Sequence, residues 1–342
     1  MHGTPHDALF KAVFGQPVHA RGMLRTIVPA KVGEAINWQT LTLCPGSFVD
    51  AGLAHQHSDL LYSARWRSGQ EALLYFLFEH QSSPPTGEPM AFRLLRYQLR
   101  IWERWWAEHP KARKLPVIVP LVLYHGAAQW VEARSFEDLL ELPPALRTAL
   151  ESTLVRCSYL LYDLSDHTEK ELQTRVLSTA LSRLTTVLFQ QGRSGNDMIE
   201  LLDRWTPELR EVEAAPNGLD ALSLLLRYIL EVNERTTPDA LQSLLERQLG
   251  PHAKESVMTA AQRLREEGRQ EGRQEGRQEG RLEGRQDLLL HVMQQRFGNQ
   301  VGPHITQRLR TATVEQIEAW SVRVLTATSL AELFADAPAP SV

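Results

Sequence analysis

The residues best suited to chemistry lie between Ser58 and Ser83. Asp59 opens a run, Leu60-Leu61-Tyr62-Ser63-Ala64-Arg65-Trp66, that reads as a strand. Ser68-Gly69-Gln70 reads as a turn. Ala72 to His80 reads as a second strand, with the nearly unbroken apolar run of one buried on both faces. Glu79 and Gln81 share one face of it, because strand side chains repeat every two residues. In a hairpin centred on Gly69, Glu79 lies opposite Asp59, each ten positions from that glycine. Directly opposed residues hold their Cβ atoms roughly 4.5–5.5 Å apart. Two carboxylates that close repel each other, and one proton affinity rises unless something positive sits between them. A bound divalent metal would resolve the conflict.

Other residues around the hairpin could join it. His55 and His57 share a face of the lead-in, but two histidines without a third ligand also suit an exposed polar segment. Near the start, Thr4-Pro5-His6-Asp7 has the form of a helix N-terminus, and Lys11 follows Asp7 by four residues on the same side. Those residues are open to a capping or a functional role. Met90 to Glu108 predicts an amphipathic helix, with Leu94, Leu95, Ile101, Trp102 and Trp105 as its apolar stripe. Arg93, Arg96, Arg100 and Arg104 fall on an adjacent strip, which suits either a solvated face or a row of phosphate contacts. Asp163 closes a third apolar segment, Ser158 to Leu164. That is the strand end where sites sit in open α/β sheets, and equally a place for a helix cap.

These residues need a scaffold, and the pattern supplies one. Trp38 to Cys44, the two hairpin strands, Leu115 to Tyr124 and Ser158 to Leu164 predict a small sheet with helices between. Pro116 and Pro120 argue against a central place for their strand. After about residue 166 strands vanish and helical segments follow at 168–191, 196–204, 217–234, 238–248 and 251–266. Expected divisions are therefore 1–166, 167–266, a repeat at 267–286 and a helical tail at 287–342. The repeat, Glu267-Gly268-Arg269-Gln270 onward with a four-residue period, stacks like charges at i,i+4 and carries five glycines. Those glycines cost an isolated helix about 4–5 kcal/mol relative to alanine. It suits either a charged linker or a helix that associates with a second copy.

Composition narrows the classes. The chain has 342 residues, 43% hydrophobic and 23% charged, enough for a sizeable packed core. A formal net charge of −4 leaves no global basic field, so a nucleic acid would have to be held locally or through a metal. Two cysteines, Cys44 and Cys157, form no metal-ligand spacing and suit a reducing cytoplasm. Neither a secretory signal nor a membrane-spanning run of about 18 apolar residues is expected.

Several separated blocks carry a resemblance. They are Pro5-His6-Asp7 with Phe10-Lys11, Pro45-Gly46-Ser47-Phe48-Val49-Asp50 and Ser58-Asp59-Leu60-Leu61-Tyr62. Further along come Phe78-Glu79-His80-Gln81-Ser82-Ser83, Phe92-Arg93-Leu94-Leu95-Arg96-Tyr97 and Leu121-Val122-Leu123-Tyr124-His125-Gly126. In this order they resemble the bacterial recombination-promoting nucleases, also known as YhgA-like proteins, over about residues 4 to 165. The resemblance implies an α/β (α+β) fold of the PD-(D/E)XK nuclease type: a mixed sheet flanked by helices, here followed by an α-helical C-terminal region. It implies Asp59 and Glu79 as Mg²⁺ ligands, with the His80 carbonyl beside them. Gln81 stands where that superfamily usually has a lysine, and it cannot supply the lysine's charge. Lys11 is a candidate source of that charge, and Asp163 resembles a further acidic position. Arg93, Arg96 and Arg100 would then hold a DNA backbone. The implied activity is metal-dependent DNA hydrolysis with little sequence preference, in recombination or mobile-element biology. The alternative is a non-catalytic, DNA-binding or self-assembling protein on a decayed nuclease fold.

Overall fold

The computed structural model describes residues 4–44, 60–68, 73–82, 87–126, 128–174, 179–192, 197–251 and 284–334, with isolated positions between 253 and 282. The side chains of 73–80 and of a few scattered residues are outside this description. Two compact units result, Met1–Gln262 and Arg263–Val342.

The first unit is a sheet with helices on both faces. Its five strands lie in sequence order: β1 (Ile36–Leu43), β2 (Leu60–Trp66), β3 (Leu73–Gln81), β4 (Val117–Tyr124) and β5 (Leu160–Asp163). β1, β2 and β3 pair antiparallel, whereas β3–β4 and β4–β5 pair parallel. The β3–β4 crossover carries α4 (Met90–Glu108), as parallel neighbours require a long connection. The C-terminal ends of β3, β4 and β5 therefore meet the N-terminal end of β2 at one rim. Strand alternation sorts the core. Leu60, Tyr62, Leu121 and Leu123 enter one cluster, and Leu61, Ile118 and Val122 another, with α4 residues Met90, Leu94, Tyr97 and Ile101.

The larger cluster is covered by helices from both ends of the unit. α1 (Pro5–Phe14) starts with a capping box between Thr4 and Asp7, so the cap reading of those two residues holds. α2 (Pro17–Ile27) touches both β1 and β5, and α3 (Ala30–Ala35) leads into β1. α5 (Pro144–Leu150) precedes β5. Then come α6 (Glu169–Thr174), α7 (Ala180–Gln191), α8 (Met198–Arg204), α9 (Thr206–Glu213), α10 (Gly218–Val232) and α11 (Pro238–Gln248). Leu184, Trp205, Leu225 and Leu244 from this series share one buried cluster with the sheet residues, so the helices after Asp166 close the sheet's own core.

Pro120 sits in β4 between two neighbours, yet the strand tolerates it. β5 pairs with Leu121–Tyr124, so among the described residues that side of β4 is an edge at Pro120. The second unit has its own core. α12 (284–297), α13 (Pro303–Arg310), α14 (Val314–Arg323) and α15 (Leu330–Leu333) bury Met293, Leu309, Ile317 and Trp320. The Arg308 guanidinium lies 4.4 Å from the Phe334 ring centre and 5.6 Å from that of Trp320. Most of the Glu-Gly-Arg-Gln repeat lies outside the described residues.

Candidate functional site

The hairpin pairs in the register that a turn centred on Gly69 demands, from Arg65↔Leu73 to Leu60↔Phe78. Asp59, which precedes Leu60 in the chain, lies outside the described residues, as do His55 and His57. Glu79 and His80 are described by backbone alone: Glu79 is in register with Val122 and His80 with Leu123. Glu79 thus has a position on the α4 side of the sheet, in step with Val122. Gln81 follows on the same side and is 8% exposed.

A row crosses the rim at this level. Gln81 is in register with Tyr124, and Tyr124 with Asp163. The His125 N–H donates to the Gln81 carbonyl at 3.0 Å, which ties the end of β3 to the residue after β4. Tyr124 donates to the Ala128 carbonyl at 2.6 Å and meets the Trp130 ring edge-on at 4.9 Å. Trp130 donates to the Tyr159 hydroxyl at 2.9 Å, and Tyr159 to the Ala133 carbonyl at 3.0 Å. Burial pushes the Tyr159 hydroxyl up to about 12, partly offset by the Trp130 donor. Burial also raises the Tyr124 hydroxyl, and the neighbouring Asp163 carboxylate raises it further.

Gly126 explains part of the Tyr124-His125-Gly126 block. A Cβ there would sit 2.1 Å from the Tyr124 hydroxyl oxygen and 2.3 Å from its Cζ. The glycine therefore gives the tyrosine ring its place. On the other face the His125 ring stacks on Phe189 at 4.7 Å and meets His6 at 5.0 Å. His6 Nδ1 lies 2.9 Å from the Tyr228 hydroxyl, so this buried group links α1, the end of β4, α7 and α10. The sequence blocks contain Tyr124, Gly126, His6 and His125, but sequence reasoning gave them no role and no link to one another. The signal was a bulky aromatic ending an apolar strand two residues before a glycine.

Asp163 is 6% exposed at the end of β5. Its Oδ1 accepts from the Ser165 N–H at 2.9 Å and the Ser165 hydroxyl at 2.7 Å, capping a short 3₁₀ turn. Asp163 therefore caps the 3₁₀ turn Leu164–Asp166, ahead of the helix expected to start near Thr168. Lys11 is exposed on α1, whose apolar residues belong to the cluster on the face away from α4. The arginine strip divides. Arg93 is only 6% exposed, with Nη2 3.3 Å from Met90 Sδ. Arg96 makes a two-pronged pair with Glu88 at 2.6 and 2.7 Å. Arg100 pairs with Glu103 at 3.1 Å and Arg104 with Glu108 at 3.0 Å. Arg93 thus leaves the outer face, and the other three are held by carboxylates of their own chain. The cysteines are free and half-buried, and burial raises both thiols.

Among the described residues no group of three or more His, Cys, Asp or Glu side chains converges, and no helix is long and apolar enough to cross a membrane. The family described as "Putative transposase, YhgA-like" matches residues 4–220. Recombination-promoting nuclease RpnD of Escherichia coli O157:H7 is 29% identical over 265 residues, 77% of this chain and 95% of that protein. Recombination-promoting nuclease RpnA of Escherichia coli K12 is 31% identical over 268 residues, 78% of this chain and 85% of that one. The inactive recombination-promoting nuclease-like protein RpnE of the same strain is also 31% identical, over 273 residues, 78% of this chain and 83% of that one. No solved structure matches the chain. By the extent of these matches, the chain belongs to the YhgA-like family, among recombination-promoting nucleases and inactive proteins like them.

Proposed function

We propose that the chain is a metal-dependent endonuclease that hydrolyses DNA phosphodiester bonds with little sequence preference and acts in recombination. The observation that carries this reading is the β2–β3 register, which puts the Glu79 and Gln81 positions on one sheet face at the rim where three strands end. The relatives named as recombination-promoting nucleases support it. The donors offered there are carboxylates, an amide and backbone carbonyls, a hard-oxygen set that suits Mg²⁺. Asp59 and Glu79 would hold the ion, with the His80 carbonyl. Bound there, the metal supplies charge neutralisation at the phosphate and a more acidic water.

The chain's own residues do the rest. Gln81 accepts from and donates to water through its amide and so orients the nucleophile, but it bears no charge. In this reading a cation must come from elsewhere. Arg93 is buried in the layer that covers this face, and it is a better source than Lys11, which is exposed on a helix of the opposite layer. Arg96 and Arg100 contribute backbone contacts only if phosphate displaces Glu88 and Glu103. Asp163 holds the β5 end of the row through Ser165.

Plasmid nicking tests the proposal. The wild type should cut in Mg²⁺ and fail in EDTA, and Asp59→Ala or Glu79→Ala should lower the rate by at least about a hundredfold. Cutting at the wild-type rate by either variant would refute it. A second reading, DNA binding without hydrolysis, is favoured by Gln81 and by the inactive relative. It predicts DNA retention in EDTA and no nicking in any metal.

A further inference from the structure

α4 turns one face inward and leaves another unusually apolar. Phe92, Leu99 and Trp106 are 44%, 50% and 50% exposed, and they recur at seven-residue intervals. That spacing drifts only about 20° per repeat, so the three side chains form one line about 21 Å long. Arg96 and Glu103 lie between them on the same line, at steps of four and three. Read along the helix, the line is Phe92, Arg96, Leu99, Glu103, Trp106. Isolated exposed apolar residues need no explanation, but an aligned set rimmed by charges marks an interaction surface.

We propose that this face of α4 binds α4 of a second copy of the chain, antiparallel, about a twofold axis at Leu99. The occupant follows from the charge order. Reversing the line about Leu99 sets Phe92 against Trp106, Leu99 against Leu99 and Arg96 beside Glu103, twice. A parallel arrangement would set Arg96 against Arg96 and Glu103 against Glu103. A self-complementary patch of this kind is what a twofold interface requires. Each charge already has a partner at home, Glu88 for Arg96 and Arg100 for Glu103. The two pairs would join into a four-residue network, Glu88–Arg96–Glu103–Arg100, on each side of the axis. Leu95 and Trp102 flank the line and are half-buried, and Trp102 donates to the Pro116 carbonyl at 2.9 Å, which fixes one edge of the surface. Dimer formation does not depend on whether the protein cuts DNA, but the network would keep Arg96 and Arg100 from phosphate contacts.

Light scattering coupled to size exclusion, on the full chain, tests it. The wild type should have the mass of a dimer. Leu99→Asp and Leu99→Lys each place like charges against each other at the axis and should be monomers with unchanged far-ultraviolet dichroism. Mixing the two variants should restore a one-to-one dimer, which a misfolded variant could not do. A monomeric wild type, a Leu99→Asp variant that stays dimeric, or a mixture that stays monomeric would each overturn the proposal.

Discussion

The two faces of the sheet divide the work differently. On one, Tyr62, Leu121 and Leu123 are fully buried beneath α1, α2 and the helices from α7 onward, in a cluster that reaches Ala253. On the other, α4 contributes the α-helical cover among the described residues, with Leu139 of a short 3₁₀ turn beside it, and the buried set includes Gln81, Arg93, Gln98 and Asp163. The helical face buries polar residues as well, among them His6, Thr185 and Asn233, but it sets them within a much larger apolar cluster, so the cost of burying polar groups weighs more on the smaller α4 face. The lesson is a general one. A small mixed sheet can carry polar residues along one rim because a much larger apolar cluster on its back holds the strands in register.

The contrast can be broken most strongly from the back. Leu123→Ala removes a fully buried side chain from the large cluster and should cost about 2–5 kcal/mol, measured by denaturant unfolding. Any activity of the protein that remains folded should be unchanged; a selective loss of activity would erase the division.

Gly126→Ala tests the rim itself. The added methyl would meet the Tyr124 ring, and the expected cost is about 1–3 kcal/mol with displacement of the end of β4. Tyr124→Phe should not rescue it, because the clash includes Cζ and Cε2 as well as the hydroxyl. Rescue by phenylalanine would mean that the strain sits only at the oxygen.

The smallest effect separates capping from chemistry at Asp163. Asp163→Ala should cost about 0.5–2 kcal/mol through loss of the Ser165 contacts, and Asp163→Asn should recover most of it, because the amide oxygen still accepts. If Asp163 only caps, the asparagine variant should nick DNA normally. A stable but inactive asparagine variant would move Asp163 into the site.

Much of this was legible in the sequence where one physical rule dominated. The hairpin register followed from a turn glycine and strict alternation, and α4 begins and ends where its apolar period does. α3 and α9 were not foreseen. α3 buries no residue, so its sequence carries no apolar stripe to read, and α9 is split from α8 only by Trp205 and a proline at its first turn. Helix 168–191 was expected whole, but it divides into α6 and α7. The arginine strip shows the limit most clearly. Spacing placed four cations side by side, but not that Arg93 would be buried or that Glu88, from the preceding loop, would reach Arg96. The Gln81–Tyr124–Asp163 row needs the pairing of three strands far apart in the chain, and no local pattern encodes it.

The short fifth strand has a further consequence. Below Leu121, β4 has no neighbour on that side among the described residues, and Val117 is 49% exposed. An open parallel edge of this kind can recruit a stray strand from another molecule. Pro120 lacks the N–H that such a strand would bind, and Pro116 stands just before the strand begins. The prolines that argued against a central place for β4 thus guard the part of it that is an edge. Replacing Pro120 by valine would make a better strand and a less soluble protein.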